Sequence, residues 1–337
     1  MKHPSAFSRE ETMKKLENYK MYRHGLAVVS MLVVSFAWAQ GSDEGALEKC
    51  LATKISADDR LAACSSIIDA KSESGRSLAG AYCSRGFAFT EKRELDRAMA
   101  DLDQAIRIDA KVACAYSNRG RVWAFKGDLD RAIADYNTAI RFDPKFSIAF
   151  NNRGDAFLAR NNLDRAIADF TTAIKLDPKN ATALGNRGYS YFRKGDLDRA
   201  AADFTAQIKL APDDLLAFIN RGNVYRAKQQ LDRAESDYAE VIRIAPTDAR
   251  GWRNRALIKL LKDNFDGAIA DYDKALNYDA KDAISWSNRG IAKREKGDRN
   301  GAVADFRKAL EINPALSSAR NSLRELGVAV HESAYGT

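Results

Sequence analysis

Histidine is nearly missing from this chain: 337 residues hold three, His3, His24 and His331. Acid–base chemistry built on an imidazole has almost nothing to work with. Cysteine is sparse too, and none of Cys50, Cys64, Cys83 and Cys114 lies within the two-to-four-residue step of typical zinc-binding pairs. No glycine-rich phosphate loop and no nucleophile with a nearby base breaks the regularity of the chain. The expectation is therefore no metal, no cofactor, no small-molecule substrate and no enzyme. Only six prolines interrupt a sequence rich in alanine, leucine, arginine and aspartate, which favours helix over strand. Basic charge is not gathered into a tail; the formal net charge of +8 is spread along the chain, which argues for solubility more than for a nucleic-acid partner.

Long hydrophobic runs are absent as well. The longest candidate, Leu26 to Ala37, is well short of the roughly 20 apolar residues that span a bilayer. Lys14, Lys15 and Arg23 precede it, and Ala37-Trp38-Ala39 follows before Gln40. This charged, apolar, small-residue order is the layout of a secretory signal peptide over residues 1–39, with Met13 or Met21 as other candidate starts. Cleavage would remove six Lys/Arg and three Asp/Glu, leaving +5, no membrane span, and His331 as the remaining histidine. An exported chain meets an oxidising compartment, typically the periplasm, where cysteines can pair. Cys50 and Cys64 are one candidate pair, closing a loop worth about 3 kcal/mol in the chain-entropy estimate. Cys83 and Cys114 are another, though four cysteines allow three connectivities and four buried thiols fit as well.

What the chain does have is a period. Asn-Arg-Gly stands at residues 118–120 and returns at 152, 186, 220 and 288, with Ser84-Arg85-Gly86 before and Asn254-Arg255-Ala256 inside the series. Neighbouring arginines are 34 residues apart throughout. Within residues 113–146, Ala113, Tyr116, Gly120 and Trp123 share one helical face. Ala132, Ile133, Tyr136, Ala139 and Ile140 form the stripe of a second amphipathic helix. Gly127-Asp128-Leu129 predicts the turn between them, Asp130 the cap of the second helix, and Pro144 the end of the unit.

In length and pattern this unit resembles the tetratricopeptide repeat (TPR). The family's order of aromatic, glycine, aromatic, alanine, aromatic, alanine and proline is met by Tyr116, Gly120, Trp123, Ala132, Tyr136, Ala139 and Pro144. Phe150, Gly154, Phe157, Ala166, Phe170, Ala173 and Pro178 repeat it. Seven repeats in all run over 79–112, 113–146, 147–180, 181–214, 215–248, 249–282 and 283–316, about seven tenths of the chain. Ala110 and Ala280 replace proline, Ala256 replaces glycine, and Lys259 and Lys293 replace the second aromatic, which predicts looser packing in the last two repeats. The resemblance implies an all-α solenoid, a right-handed superhelix of antiparallel helix pairs. A divergent helical cap is expected over residues 40–78, with Glu44 to Cys50 and Asp58 to Ile68 helical and 71–77 a loop. A capping helix is expected over 317–327, followed by a tail over 328–337.

Six of the seven repeats spend about 1 kcal/mol on a mid-helix glycine, which calls for close helix approach, as between Gly120 and Ala132. The arginine beside it stands where the family usually has an apolar residue, and an aspartate follows each arginine sixteen residues later. The pairs Arg119 with Asp135, Arg153 with Asp169, Arg187 with Asp203 and Arg221 with Asp237 are thus candidates for partly buried ion pairs, within a repeat or between neighbours. Solvated outer-face charge and direct ligand contact are the other readings.

The resemblance further implies a concave groove lined by first helices that binds a peptide or helix of another protein. Carried onto this chain, its lining includes Arg121, Phe125, Asn151, Tyr189, Phe192, Arg193, Asn223, Arg226, Arg250, Arg253, Leu257 and Arg294. Arginines interleaved with apolar groups suit an acidic, partly apolar segment. The carboxylate clamp of some chaperone-binding relatives is matched by Asn223, Arg250 and Asn254 but not at Ile219, so no clamp is expected. A binder of anionic polymers, acidic polysaccharide or nucleic acid, is the rival function.

Overall fold

The computed structural model describes residues 44–52, 54–71 and 73–329. The expected signal peptide, the first residues of the cap and most of the tail lie outside the described residues. Every regular element among those described is a helix. The chain divides at Gly195/Asp196 into two compact halves.

In the N-terminal half, α1 (Glu44–Leu51) and α2 (Ala57–Ala70) form the cap and pack on α3 (Gly75–Glu91) through Cys50, Cys64, Ile67 and Ala81. The pairs α3 with α4 (Leu95–Ile108), α5 (Ala113–Phe125) with α6 (Leu129–Phe142), and α7 (Ser147–Ala159) with α8 (Leu163–Leu176) follow. The helix α9 (Ala181–Lys194) closes this half. The C-terminal half opens with α10 (Leu197–Leu210). It continues with the pairs α11 (Leu215–Ala227) and α12 (Leu231–Ile244), α13 (Ala249–Leu261) and α14 (Phe265–Tyr278), and α15 (Ala283–Glu295) and α16 (Arg299–Ile312). Its last element, α17 (Ser317–Glu325), lays Ala319 and Leu323 against Phe306 and Leu310, covering the apolar face that α16 would otherwise expose.

Two sequence readings need correction. The stretch 71–77 is not all loop, because α3 begins at Gly75, one turn before the repeat boundary. Ser and Gly read as loop, but the first turn of a helix lacks intrahelical N–H bonds to lose, so poor formers are tolerated there. The cap of α6 is Asp128, not Asp130: Asp128 has a non-helical backbone and its carboxylate accepts from Arg131 N at 2.9 Å. A cap must precede the first helical residue, and Asp130 is already inside the first turn. Asn162, Asp196, Asn264 and Asp298 cap the corresponding helices in the same way.

The glycine is placed by an aromatic ring. A Cβ on Gly120 would stand 2.7 Å from Tyr136 Cε1 and 3.0 Å from Ala132 O, and Gly154 and Gly222 meet Phe170 and Tyr238 at the same 2.7 Å. Each ring is almost wholly buried, a burial worth about 2–3 kcal/mol. The turn after each first helix needs a left-handed residue. Gly127, Gly195 and Gly297 supply it at φ 81–88°, while Arg93, Asn161, Gln229 and Asp263 are forced into it at φ 59–64°.

Candidate functional site

The repeated arginine is a structural anchor in the geometry. Arg119 Nε and Nη2 donate to the two carboxylate oxygens of Asp135 at 2.9 and 2.8 Å, and its Nη1 donates to Asp103 of the preceding repeat at 2.7 Å. Arg85 with Asp101, Arg153 with Asp169, Arg221 with Asp237, Arg255 with Asp271 and Arg289 with Asp305 make the same two-toothed pair. The planar fork matches a carboxylate's two lone-pair directions, which a lysine could not do. The third contact also recurs, to Ser65, Asn137, Thr205 and Asp273, so one guanidinium ties its own repeat to the helix before it. Arg187 donates to Thr171 at 3.2 Å, and Asp203 is buried on α10. Hydrogen bonds donated to Asp135 outweigh burial and push the Arg119 guanidinium pKa up. Lys259 and Lys293, expected to loosen the last repeats, instead reach Asp271 and Asp305 at 2.8 and 2.9 Å, joining the arginine on the same carboxylate.

Sequence reasoning missed a second ladder on the exposed edge. Lys92, Lys126, Arg160, Lys194, Lys228, Lys262 and Lys296 pair with Asp58, Asp96, Asp130, Asp164, Asp198, Asp232 and Asp266. The signal was present as a cation recurring every 34 residues just before each turn. Exposed pairs of this kind contribute little each, typically about 0–1 kcal/mol.

The residues expected to line the groove fall into two chemically different sets. In the N-terminal half they join a column of alternating cations and rings. The guanidinium of Arg60 lies 5.0 Å from the Phe87 ring and that of Arg121 5.1 Å from the same ring. Arg121 also lies 5.5 Å from Phe125, which carries Arg93 at 3.8 Å. Arg121 is buried rather than open, as is Asn151. Arg121 Nε and Nη1 find no acceptor, whereas Arg60 donates to Ala52 O at 2.8 Å and faces Glu91 at 3.5 Å. Further along, Tyr189 and Phe192 are half-buried on α9, and exposed Arg193 donates to Asn161 at 2.8 Å.

In the C-terminal half most of the expected cations are already neutralised. Arg250 forks onto Asp248, Arg253 donates to Asp282 at 3.1 Å, and Arg294 reaches Glu295 and Glu325, both at 2.9 Å. Asn223 accepts from Tyr238 Oη at 2.8 Å, Leu257 is buried, and Arg226 is half-buried on α11.

The structure joins Cys50 to Cys64 and Cys83 to Cys114, so a disulfide ties the cap together and another ties α3 to α5. Among the described residues no group of three or more His, Cys, Asp or Glu is placed to hold a metal, and no helix is long and apolar enough to cross a membrane.

Comparison with known families agrees with this geometry. Models described as tetratricopeptide repeat match residues 151–214 and 219–283, and again 79–112 and 283–316, and one described as TPR repeat matches 126–159. No curated protein matches the chain in sequence. Among solved structures, the chain is similar to one in the APC/C hetero-tetramer Cut9-Hcn1, at 17% identity and TM-score 0.59, over 83% of this chain and 53% of that one. This chain thus spans about half of that relative's length. It is also similar to the C-terminal part of a TPR repeat-containing protein from Cytophaga hutchinsonii, at 18% identity and TM-score 0.59, covering 72% of this chain and 99% of that one. Pseudomonas aeruginosa pilF aligns at 18% identity and TM-score 0.55, over 63% and 97%. At such identities the likeness is one of fold.

Proposed function

Since the chain belongs to the tetratricopeptide repeat family, we propose that it is a non-catalytic scaffold whose first helices hold a segment of another protein, in the periplasm or cell envelope of a bacterium. The fold is that of protein–protein interaction modules. The observation that carries the finer reading is the contrast within each repeat. The Arg–Asp anchors and the edge ladder are satisfied internally, while Phe125 and Tyr189 on first helices stay partly open with cations beside them, and Phe192 stays partly open as well. Half-buried aromatics beside guanidinium groups suit a peptide with acidic and apolar side chains. The export reading is supported by the layout of residues 1–39 and by four cysteines in two pairs.

The rival reading, an electrostatic binder of anionic polymers, rests on the net positive charge. It is weakened by the carboxylates that already pair with Arg250, Arg253 and Arg294, which leave few free cations on that face. The deciding experiment is affinity capture with the mature chain from its own compartment, washed at high salt. A discrete protein retained through about 1 M salt, where the Debye length is only about 3 Å, supports the scaffold. Binding that vanishes with salt and ignores partner sequence supports the polymer reading.

A further inference from the structure

Arg121 is the one expected groove arginine whose burial is unexplained by a partner. It is 6% exposed, yet no carboxylate, carbonyl or hydroxyl receives its Nε or Nη1. A desolvated guanidinium without an acceptor is costly for a protein to maintain. The neighbouring buried arginine, Arg60, shows the contrast: it also lies by the Phe87 ring, but with Ala52 O and Glu91 as partners. Glu91 is the carboxylate whose field reaches Arg121, but its ion-pair partner is Arg60. Burial lowers the Arg121 pKa, and the opposing influence of Glu91 and Tyr136 does not restore it.

The rings beside it bear on the shape of what could complete the site. Phe87 and Phe125 lie 5.1 and 5.5 Å from the guanidinium, so a ligand that reaches its N–H edge does so alongside two rings. A planar carboxylate is the group that accepts two parallel bonds from such an edge. Glu91 is shared with Arg60 and only partly offsets the Arg121 charge, which calls for one further negative charge; a phosphate dianion would bring its second charge towards Glu91. Exposed Arg93 lies on the Phe125 ring at 3.8 Å, a second cation beside the same ring.

We propose that Arg121, beside Phe87 and Phe125, is an anchor for an aspartate or glutamate side chain of the bound polypeptide, with apolar neighbours of that residue packing on the two rings. This rests on the scaffold reading but is tested apart from it. The probe is a pool of acetylated, amidated pentapeptides with a central Asp flanked by Leu, Val, Phe or Ala, titrated into the isotopically labelled mature chain. The readout is the Arg121 Nε–H resonance, assigned by its loss in Arg121→Gln. The expected result is a saturable shift of that resonance with the Asp pool, at least about tenfold weaker with the Asn twin pool and with inorganic phosphate. No shift with the Asp pool, or an equal or stronger response to phosphate, overturns the proposal.

Two variants separate anchoring from a structural role. If the guanidinium serves a ligand, Arg121→Leu keeps or raises the Tm, because it removes an unpaired buried charge. If it serves only to hold the two rings, Arg121→Leu lowers the Tm and the wild-type resonance does not respond. The titration uses the wild-type chain, so it stands even if a variant fails to fold. A partner captured equally well by wild type and Arg121→Gln overturns the anchor and leaves the scaffold intact; capture of nothing by either counts against the scaffold, while the titration still judges the anchor.

Discussion

Arg153 shows what the repeated charge does for stability. Its fork meets Asp169 at 2.8 and 2.7 Å, and Asp169 is only 6% exposed, so removing the arginine strands a buried carboxylate. Breaking a fully buried pair costs about 3–5 kcal/mol, and partial solvent access to Arg153 reduces this to about 2–3 kcal/mol for Arg153→Ala by urea denaturation. Arg153→Lys keeps the charge but loses the fork, and is expected to cost about 1 kcal/mol or more. A second residue-scale expectation concerns pH. Burial alone would raise the Asp248 carboxyl, but the hydrogen bonds and charge of Arg250 prevail and hold it below the usual range. A depressed folded pKa means that its contribution is complete above about pH 4 and is lost as pH falls through the folded value. The destabilisation caused by Asp248→Asn should therefore shrink between pH 7 and pH 3; a constant difference would contradict this. At this scale the sixteen-residue step from arginine to aspartate is visible in the sequence, and the structure joins the two. The third contact was not visible, because Asp103, Asn137, Thr205 and Asp273 share a place sixteen residues before the arginine but not a chemistry, and Ser65 in the cap stands twenty before.

At the scale of the element, helix pairs meet over a small residue and turn through a left-handed one. Gly222→Ala would gain about 1 kcal/mol of helix propensity in an open helix. Here the new methyl meets the buried Tyr238 ring at 2.7 Å, and overpacking of about 1–3 kcal/mol outweighs that gain, so thermal unfolding should show a net loss. Gln229→Gly should do the opposite. Gln229 sits at φ 59°, and relieving that left-handed strain of about 1–2 kcal/mol exceeds the entropy glycine adds to the unfolded chain, a net gain of up to about 1 kcal/mol. Helix pairing was legible because its determinants recur every 34 residues and each repeat is read seven times over. The start of α3 at Gly75 and the Asp128 cap were less so, since helix ends are decided by one or two residues whose alternatives differ little in energy.

For the whole molecule, the pairs Cys50–Cys64 and Cys83–Cys114 bear on where the chain works. Protein purified from its own compartment and denatured without reductant should leave all four cysteines unlabelled by a maleimide; four labels would contradict the export reading. The lining of the binding face was only half legible. Position within a repeat indicated Arg121, Arg250 and Arg253, but not that the first is buried beside two rings or that the others are met by Asp248 and Asp282. Those outcomes depend on neighbours one repeat away, which spacing alone does not rank. The account stands or falls on first helices being the working surface, and site-specific photocrosslinking in the native compartment tests this most directly. A photoreactive residue in place of Tyr189 or Phe192 on α9 should yield a discrete protein adduct, and one in place of exposed Lys175 on α8 should not. Adducts at Lys175 alone, or equal adducts at all three positions, would contradict it.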